Sequence, residues 1–200
     1  MRKIIVLSFI TLDGVMQAPG GPEEDLIDSF PYGGWSVNYW DEVLEKEMAS
    51  QMGQRSELLL GRKTYDIFAA SWPKIDLDSI INKVNKYVVT SNPIPADTDI
   101  WKNSIRIDGD IVEKVKMLKN EDGPDLQIHG SGQLIQTLLK NDLIDELWLK
   151  IYPITLGTGK HLFASGTVPI AFKVKECKLT PSGVIIATFK KSGDVKLGSF

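Results

Sequence analysis

The sequence is poor in the residues that staple or metallate a small protein. Its 200 residues hold one cysteine, Cys177, and two histidines, His129 and His161, far apart in the chain. An internal disulfide is therefore impossible, and no usual zinc pattern can be assembled, so no metal site is expected. A lone thiol suits a reducing compartment, and the expected location is the cytoplasm. Long apolar runs are also missing. The apolar start, residues 4–10, is broken by Thr11, Asp13 and Gly14, too early for a secretory signal. No stretch approaches the ~20 apolar residues of a membrane span. Charge of one sign is lacking as well: 23 Lys and Arg face 26 Asp and Glu, a net charge of −3. Without a basic stripe a nucleic-acid partner is not expected.

What is present suits one globular domain over residues 1–200. Hydrophobic residues make up 42% of the chain, and a chain of this length buries roughly 70% of its unfolded surface. Residues 4–10, dense in β-branched and apolar types, read as a strand covered on both faces. Residues 17–38 read as a long loop holding glycine and proline together with Phe30, Tyr32 and Trp35. The spacing Trp40, Leu44, Met48, Met52 predicts a helix with Asn38 as its N-cap. Residues 57–61 form a strand, and Gly61 leads into a helix running to about Ser71. Strands over 86–91 and, more weakly, 101–107 precede a capping box, Asp110 with Glu113, that starts another helix. A strand over 125–129 passes through Gly130-Ser131-Gly132 into a helix carrying Leu134, Ile135, Leu138 and Leu139. Residues 144–152 form a long strand, and 171–179 with 184–190 an antiparallel hairpin about Pro181 and Gly183. The alternation is that of an α/β fold with a mixed sheet.

Ligands of open α/β sheets sit beyond the carboxyl ends of the strands, and two of those ends run through glycine into a helix. Each is a candidate anion site, since free first-turn N–H groups and the helix dipole both favour negative charge. Gly130, Ser131, Gly132 and Gln133 form one. Gly61, Arg62, Lys63 and Thr64 form the other, where two cations in a first turn oppose the dipole unless an anion compensates them. Thr90 and Ser91, ending the next strand, add hydroxyl donors. Ser131 does not stand in a nucleophile elbow, so serine hydrolysis has no support. Asp13 is the best carboxylate for a proton donor. A tight turn and a solvated Arg-Lys pair are the plainer readings of the two glycine turns.

In combination these residues resemble a known family. Gly61-Arg62-Lys63-Thr64-Tyr65 is similar to the Gly-Arg-x-Thr-aromatic turn of dihydrofolate reductase, and Val89-Thr90-Ser91 to that enzyme's next strand end. Thr11-Leu12-Asp13-Gly14, Gly130-Ser131-Gly132-Gln133-Leu134, Leu143-Ile144-Asp145-Glu146-Leu147 and Pro153-Ile154-Thr155-Leu156-Gly157 resemble the reductase domain of the bifunctional riboflavin-biosynthesis deaminase-reductase, in the same order. The resemblance implies a three-layer dihydrofolate reductase-like fold with a mixed, mostly parallel central sheet and a C-terminal antiparallel hairpin. It implies an oxidoreductase that passes a hydride from NADPH to a carbonyl or imine of a small, heterocyclic substrate, and a homodimer. Arg62, Thr64 and Ser91 would then hold the 2′-phosphate or ribose, and Gly130 to Gln133 the pyrophosphate. Asp13 and Gly14 would face the substrate cleft, with Tyr152 and Pro153 opposite. Asp41, the nearest acid to the first helix, would complete it. The glycine pairs and aromatics of residues 17–38, Trp35 among them, read either as a mobile substrate lid or as rings that plug the core. The chain departs from the riboflavin reductases in carrying His129, where they place an acid before the glycine turn. The alternative is a non-catalytic NADP-binding sensor module. The long strand containing Trp148, apolar on both faces, and the closing hairpin offer the surface for a second copy.

Overall fold

Strands and helices alternate along the chain, as the hydrophobic pattern requires. The computed structural model describes residues 1–94 and 101–199. The described elements are β1 (Ile4–Thr11), α1 (Glu42–Gly53), β2 (Ser56–Gly61), α2 (Arg62–Ile75), α3 (Ile80–Lys83), β3 (Lys86–Val89), β4 (Ser104–Ile107), α4 (Ile111–Asn120), β5 (Asp125–Ile128), α5 (Gly132–Lys140), β6 (Glu146–Tyr152), β7 (Ala171–Leu179) and β8 (Ile185–Gly193). The strands form one sheet in the order β4-β3-β2-β5-β1-β6-β8-β7. Pairs from β4 to β6 are parallel, and β8 runs antiparallel to both β6 and β7.

The register of β1 explains why its sequence is apolar on both sides. Leu7 lies opposite Trp148 and Ser8 opposite Leu149, and alternate residues face different cores. Ile4, Val6 and Ile10 pack with α4 and α5 through Val115, Leu118, Leu134, Ile135 and Leu138. Ile5 and Leu7 pack under α1 through Leu44 and Met48. Further along that second face, α2 and α3 cover β2 and β3 through Tyr65, Ala69 and Ile81. Three layers result. No described helix is long and apolar enough to cross a membrane.

Several expectations shift. Asp41, not Asn38, caps α1, its carboxylate accepting from Val43 N at 3.0 Å and Leu44 N at 2.9 Å. Residues Val37–Tyr39 form a 3₁₀ turn instead, and Trp40 stays outside the helix. The α2 helix continues past Ser71 to Ile75, because Phe68 and Trp72 keep adding apolar contacts to its inner face. α3 is a single turn, too short to leave a periodic signal in the sequence. Trp101 lies before β4 and buries its ring against Tyr65 at 5.6 Å. Asp110 caps α4 as expected, accepting from Glu113 N at 3.0 Å.

The loop between β1 and α1 is more firmly packed than a mobile lid. Phe30 and Trp35 are buried in the core beneath α1, and only Tyr32 of the three aromatics is exposed. The Trp35 indole donates to Gln17 O at 2.7 Å and meets the Tyr152 ring edge-on at 5.1 Å. The homodimer expectation loses one support as well. β6 lies between β1 and β8, so Trp148 and the leucines beside it are consumed within the chain. The described sheet's outer antiparallel edge is β7, where Val174 and Leu179 are exposed.

We expect Trp35→Ala to lower unfolding stability by ~3–5 kcal/mol, the range for emptying a buried aromatic site, measured by denaturant titration. A change below ~1 kcal/mol would return the ring to a loosely held cover.

Candidate functional site

Adjacent parallel strands bring the two glycine turns into contact. β2 and β5 are neighbours, so the turns leaving them meet beyond the carboxyl ends, where Gly61 N donates to Gly130 O at 3.2 Å. The approach leaves no room for side chains. A β-carbon on Gly61 would collide with Ser131 Oγ, and one on Gly130 would stand 2.5 Å from Thr64 Oγ1. Gly132 is different: a β-carbon there would meet Met16 Sδ at 3.5 Å, an ordinary contact. The Gly130–Ser131 peptide is cis.

The helices that start at this contact are left open. α1 and α4 are capped by the carboxylates of Asp41 and Asp110. α2 and α5, capped in position by Gly61 and Ser131, receive no side-chain hydrogen bond at their first turns. A helix start leaves its first N–H groups without intrahelical partners. Here two such starts adjoin, giving one cradle with partial positive charge from both dipoles.

Cations flank the outer side. Arg62 pairs with Asp66 at 2.8 Å and donates to Pro93 O at 3.1 Å. Arg106, on β4, pairs with Asp108 at 2.7 Å and donates to Ser91 O at 3.4 Å. Two guanidinium groups thus converge on residues 91–93, and Arg106 was missed because its short strand carries only a weak pattern. Ser91 is exposed there. Thr90 is buried, and its hydroxyl accepts from Asn92 N at 3.1 Å, which shapes the turn. Lys63 and Gln133 project outward on the first turns of α2 and α5.

The inner side is aromatic. Tyr152, fully buried and opposite Thr11 at the end of β6, gathers Phe9 at 5.5 Å, Trp35 at 5.1 Å and Tyr39 at 5.8 Å. Its hydroxyl has no hydrogen-bond partner among the described residues, and burial pushes its pKa up, so it stays neutral. The two candidate acids are both engaged. Asp13 accepts from Thr11 Oγ1, from Leu156 N at 3.1 Å and from Gly157 N at 2.7 Å, and these donors hold its carboxyl below the ordinary range. Gly14, in the left-handed region at φ +81°, turns the chain so that its carbonyl accepts from Leu162 N at 2.9 Å. Asp41, besides capping α1, accepts from Ser182 N at 2.9 Å and is likewise lowered by its donors. Such carboxylates fix loops, and they are poor proton donors at neutral pH.

The RibD C-terminal domain profile matches residues 2–186. The chain belongs to that family. It is 28% identical to YyaP of Bacillus subtilis (strain 168) over 201 residues, covering 96% of each chain. It is 25% identical to YwjB of the same organism, covering 88% of this chain and 91% of that one. Among solved structures, a putative riboflavin biosynthesis protein from Shewanella sp. PV-4 superposes with a TM-score of 0.69 at 23% identity, covering 95% of this chain and 99% of that one. Dihydrofolate reductase from Enterococcus faecalis, solved with NADP(H), gives 0.59 at 15% identity, with 94% and 96% covered. The fold is therefore dihydrofolate reductase-like: a mixed, mostly parallel sheet with an antiparallel C-terminal pair.

Two outcomes follow. Gly61→Ala should destabilise the protein by ~1–3 kcal/mol through overpacking, and Ser131→Gly in the same chain should restore part of the loss. Additive losses in thermal unfolding would show that the turns do not press on each other. Asp13 has a folded pKa below its unfolded value of about 3.9, so its stabilisation is complete above that value and is lost as pH falls through the depressed one. Asp13→Asn should therefore flatten the acid limb of stability against pH, and an unchanged limb would assign it to other carboxylates.

Proposed function

We propose that the protein is an NADPH-dependent reductase acting on a carbonyl or imine of a small heterocyclic substrate. The observation that carries this reading is the doubled cradle, two uncapped helix starts joined by the Gly61–Gly130 contact. A dinucleotide pyrophosphate needs just such close backbone approach and inward N–H groups. Membership of the RibD C-terminal domain family supports an oxidoreductase, and one structural relative, from Corynebacterium diphtheriae, is described as pyrimidine reductase-like at a TM-score of 0.61.

In this reading Gly130, Ser131, Gly132 and Gln133 hold the pyrophosphate, and the N–H groups following Gly61 complete the cradle. Arg62, Ser91 and Arg106 hold the 2′-phosphate, with Thr64 at the seam between the turns and Lys63 and Thr90 at its margin. When bound, the reduced nicotinamide supplies the hydride. Asp13 and Gly14 set the loop that closes the cleft, and Asp41 fixes α1 over it. Tyr152 and Trp35 shape its apolar wall. Proximity and orientation supply most of the rate enhancement in such an arrangement.

NADPH should bind more tightly than NADH, and Arg62→Ala should remove about 1.5–3 kcal/mol of that preference, the value of a charge-assisted hydrogen bond. Gly132→Val should abolish cofactor binding while leaving apo unfolding largely intact, because a β-carbon at that position meets only ordinary contacts. Fluorescence titration with both nucleotides decides. Equal affinity of the unaltered protein for NADPH and NADH would refute the 2′-phosphate assignment.

A further inference from the structure

Pairing with β8 sorts the residues of β7 onto two faces. Phe172, Val174, Cys177 and Leu179 stand opposite Lys191, Phe189, Ala187 and Ile185, while Lys173, Glu176 and Lys178 stand opposite Lys190, Thr188 and Ile186. Residues directly opposite in an antiparallel pair share a face. The first set is therefore an apolar row and the second a charged one. The apolar row lies on the side of the sheet that α4 and α5 cover, where Phe172 and Phe189 reach the core. The charged row lies on the α1 side, where Lys178 pairs with Glu47 at 2.9 Å and Lys175, in the bulge between Val174 and Glu176, reaches Glu146 at 3.9 Å.

Such alternation is the pattern of a strand with one face packed and the other in water. Here the apolar face is open. Val174 is 61% exposed and Leu179 71%, and Cys177 between them is exposed as well. Ile185 and Phe189, beside them on β8, are only half-buried. The cover that buries Leu147 and Leu149 on β6 does not extend to β7. The outer edge of β7 is protected against pairing with another edge, since lysines and a bulge are the usual devices that prevent it. The apolar face has no such protection. Its one charge, Lys191, is paired with Asp142.

We propose that the open face of β7 and β8 docks a second copy of this chain, the two sheets stacking face to face about a two-fold axis. A partner of marked charge has nothing to pair with on this row, whereas two identical apolar faces meet with no like charges opposed. A two-fold axis sets the same patch against itself, and stacked sheets pack ~10 Å apart with their strands nearly aligned. The nine residues of β7 and two strand widths give a footprint of roughly 30 Å by 10 Å, ~300 Å² per copy. A patch of that size marks a contact site on a soluble protein, and it is small beside the ~800 Å² per partner of a standard interface. The dimer is accordingly a reversible one. Its surface is this outer pair of strands and not β6, which β1 and β8 enclose.

Sedimentation equilibrium of the whole protein, from micromolar to submillimolar concentration, tests the proposal. The mass should rise from 22.3 kDa toward twice that value. Val174→Asp and Leu179→Lys each put an unpaired charge into the row and should weaken association about tenfold or more. Both side chains are exposed in the single chain, so circular dichroism of the dilute variants should match that of the unaltered protein. A mass of 22.3 kDa throughout the range would overturn the proposal. A dimer that both variants leave intact would overturn it too, by placing the contact elsewhere. Cys177, the chain's one thiol, gives a readout that needs no variant. Its rate of reaction with a maleimide should fall as the dimer fraction rises. A dimer whose Cys177 labels at the monomer's rate joins through an edge or another surface, and the stacked arrangement is then wrong.

Discussion

The contact between Gly61 and Gly130 is the constraint on which the site depends. Two parallel neighbours in a sheet lie about 4.8 Å apart, so turns leaving them at the same edge must interpenetrate or diverge. Here they interpenetrate. Ser131 Oγ fills the place of a Gly61 side chain and Thr64 Oγ1 that of a Gly130 side chain. α2 and α5 consequently begin side by side, and neither start carries a capping side-chain hydrogen bond. The uncapped N–H groups cost the apo protein little while water can reach them, and they are ready donors once a ligand excludes that water.

Carboxylates do a different job in this fold from the one their positions suggest. Asp13, Asp41 and Asp110 all accept backbone N–H groups: Asp13 from the 156–157 loop, Asp41 from α1 and the 180–183 turn, Asp110 from α4. Each is a fastener that works in its ionised form.

The face beneath α1 is less uniform than a packed helix–sheet interface. Gln51, Gln127 and Lys150 form a hydrogen-bonded seam between the apolar contacts of Leu44 and Met48 and those of Leu58 and Ile81. Buried polar groups of this kind are high-stakes because each must be satisfied in a low dielectric. Gln51 satisfies two of them at once, through its side-chain oxygen and its carbonyl. Next to that seam the His129 Nε2 has no hydrogen-bond partner among the described residues.

Local pattern and motif sufficed for much of this protein. The apolar run of β1, the Asp110–Glu113 cap and the Leu134–Leu139 stripe each state their element within a few residues, because propensity, capping and periodicity are short-range properties. The two glycine turns were legible as glycine-led helix starts for the same reason. Asp41 could not be separated from Asn38 as the cap of α1, since both are good caps and the choice turns on where the preceding 3₁₀ turn ends. The burial of Trp35 depended on a ring 117 positions later in the chain, Tyr152. Arg106 joined Arg62 only because β4 pairs with β3, and Lys150 met Gln51 only because α1 lies across β6. Charges and rings that meet over such separations leave no periodic trace. Their partners were decided by strand order and by the helix laid over it.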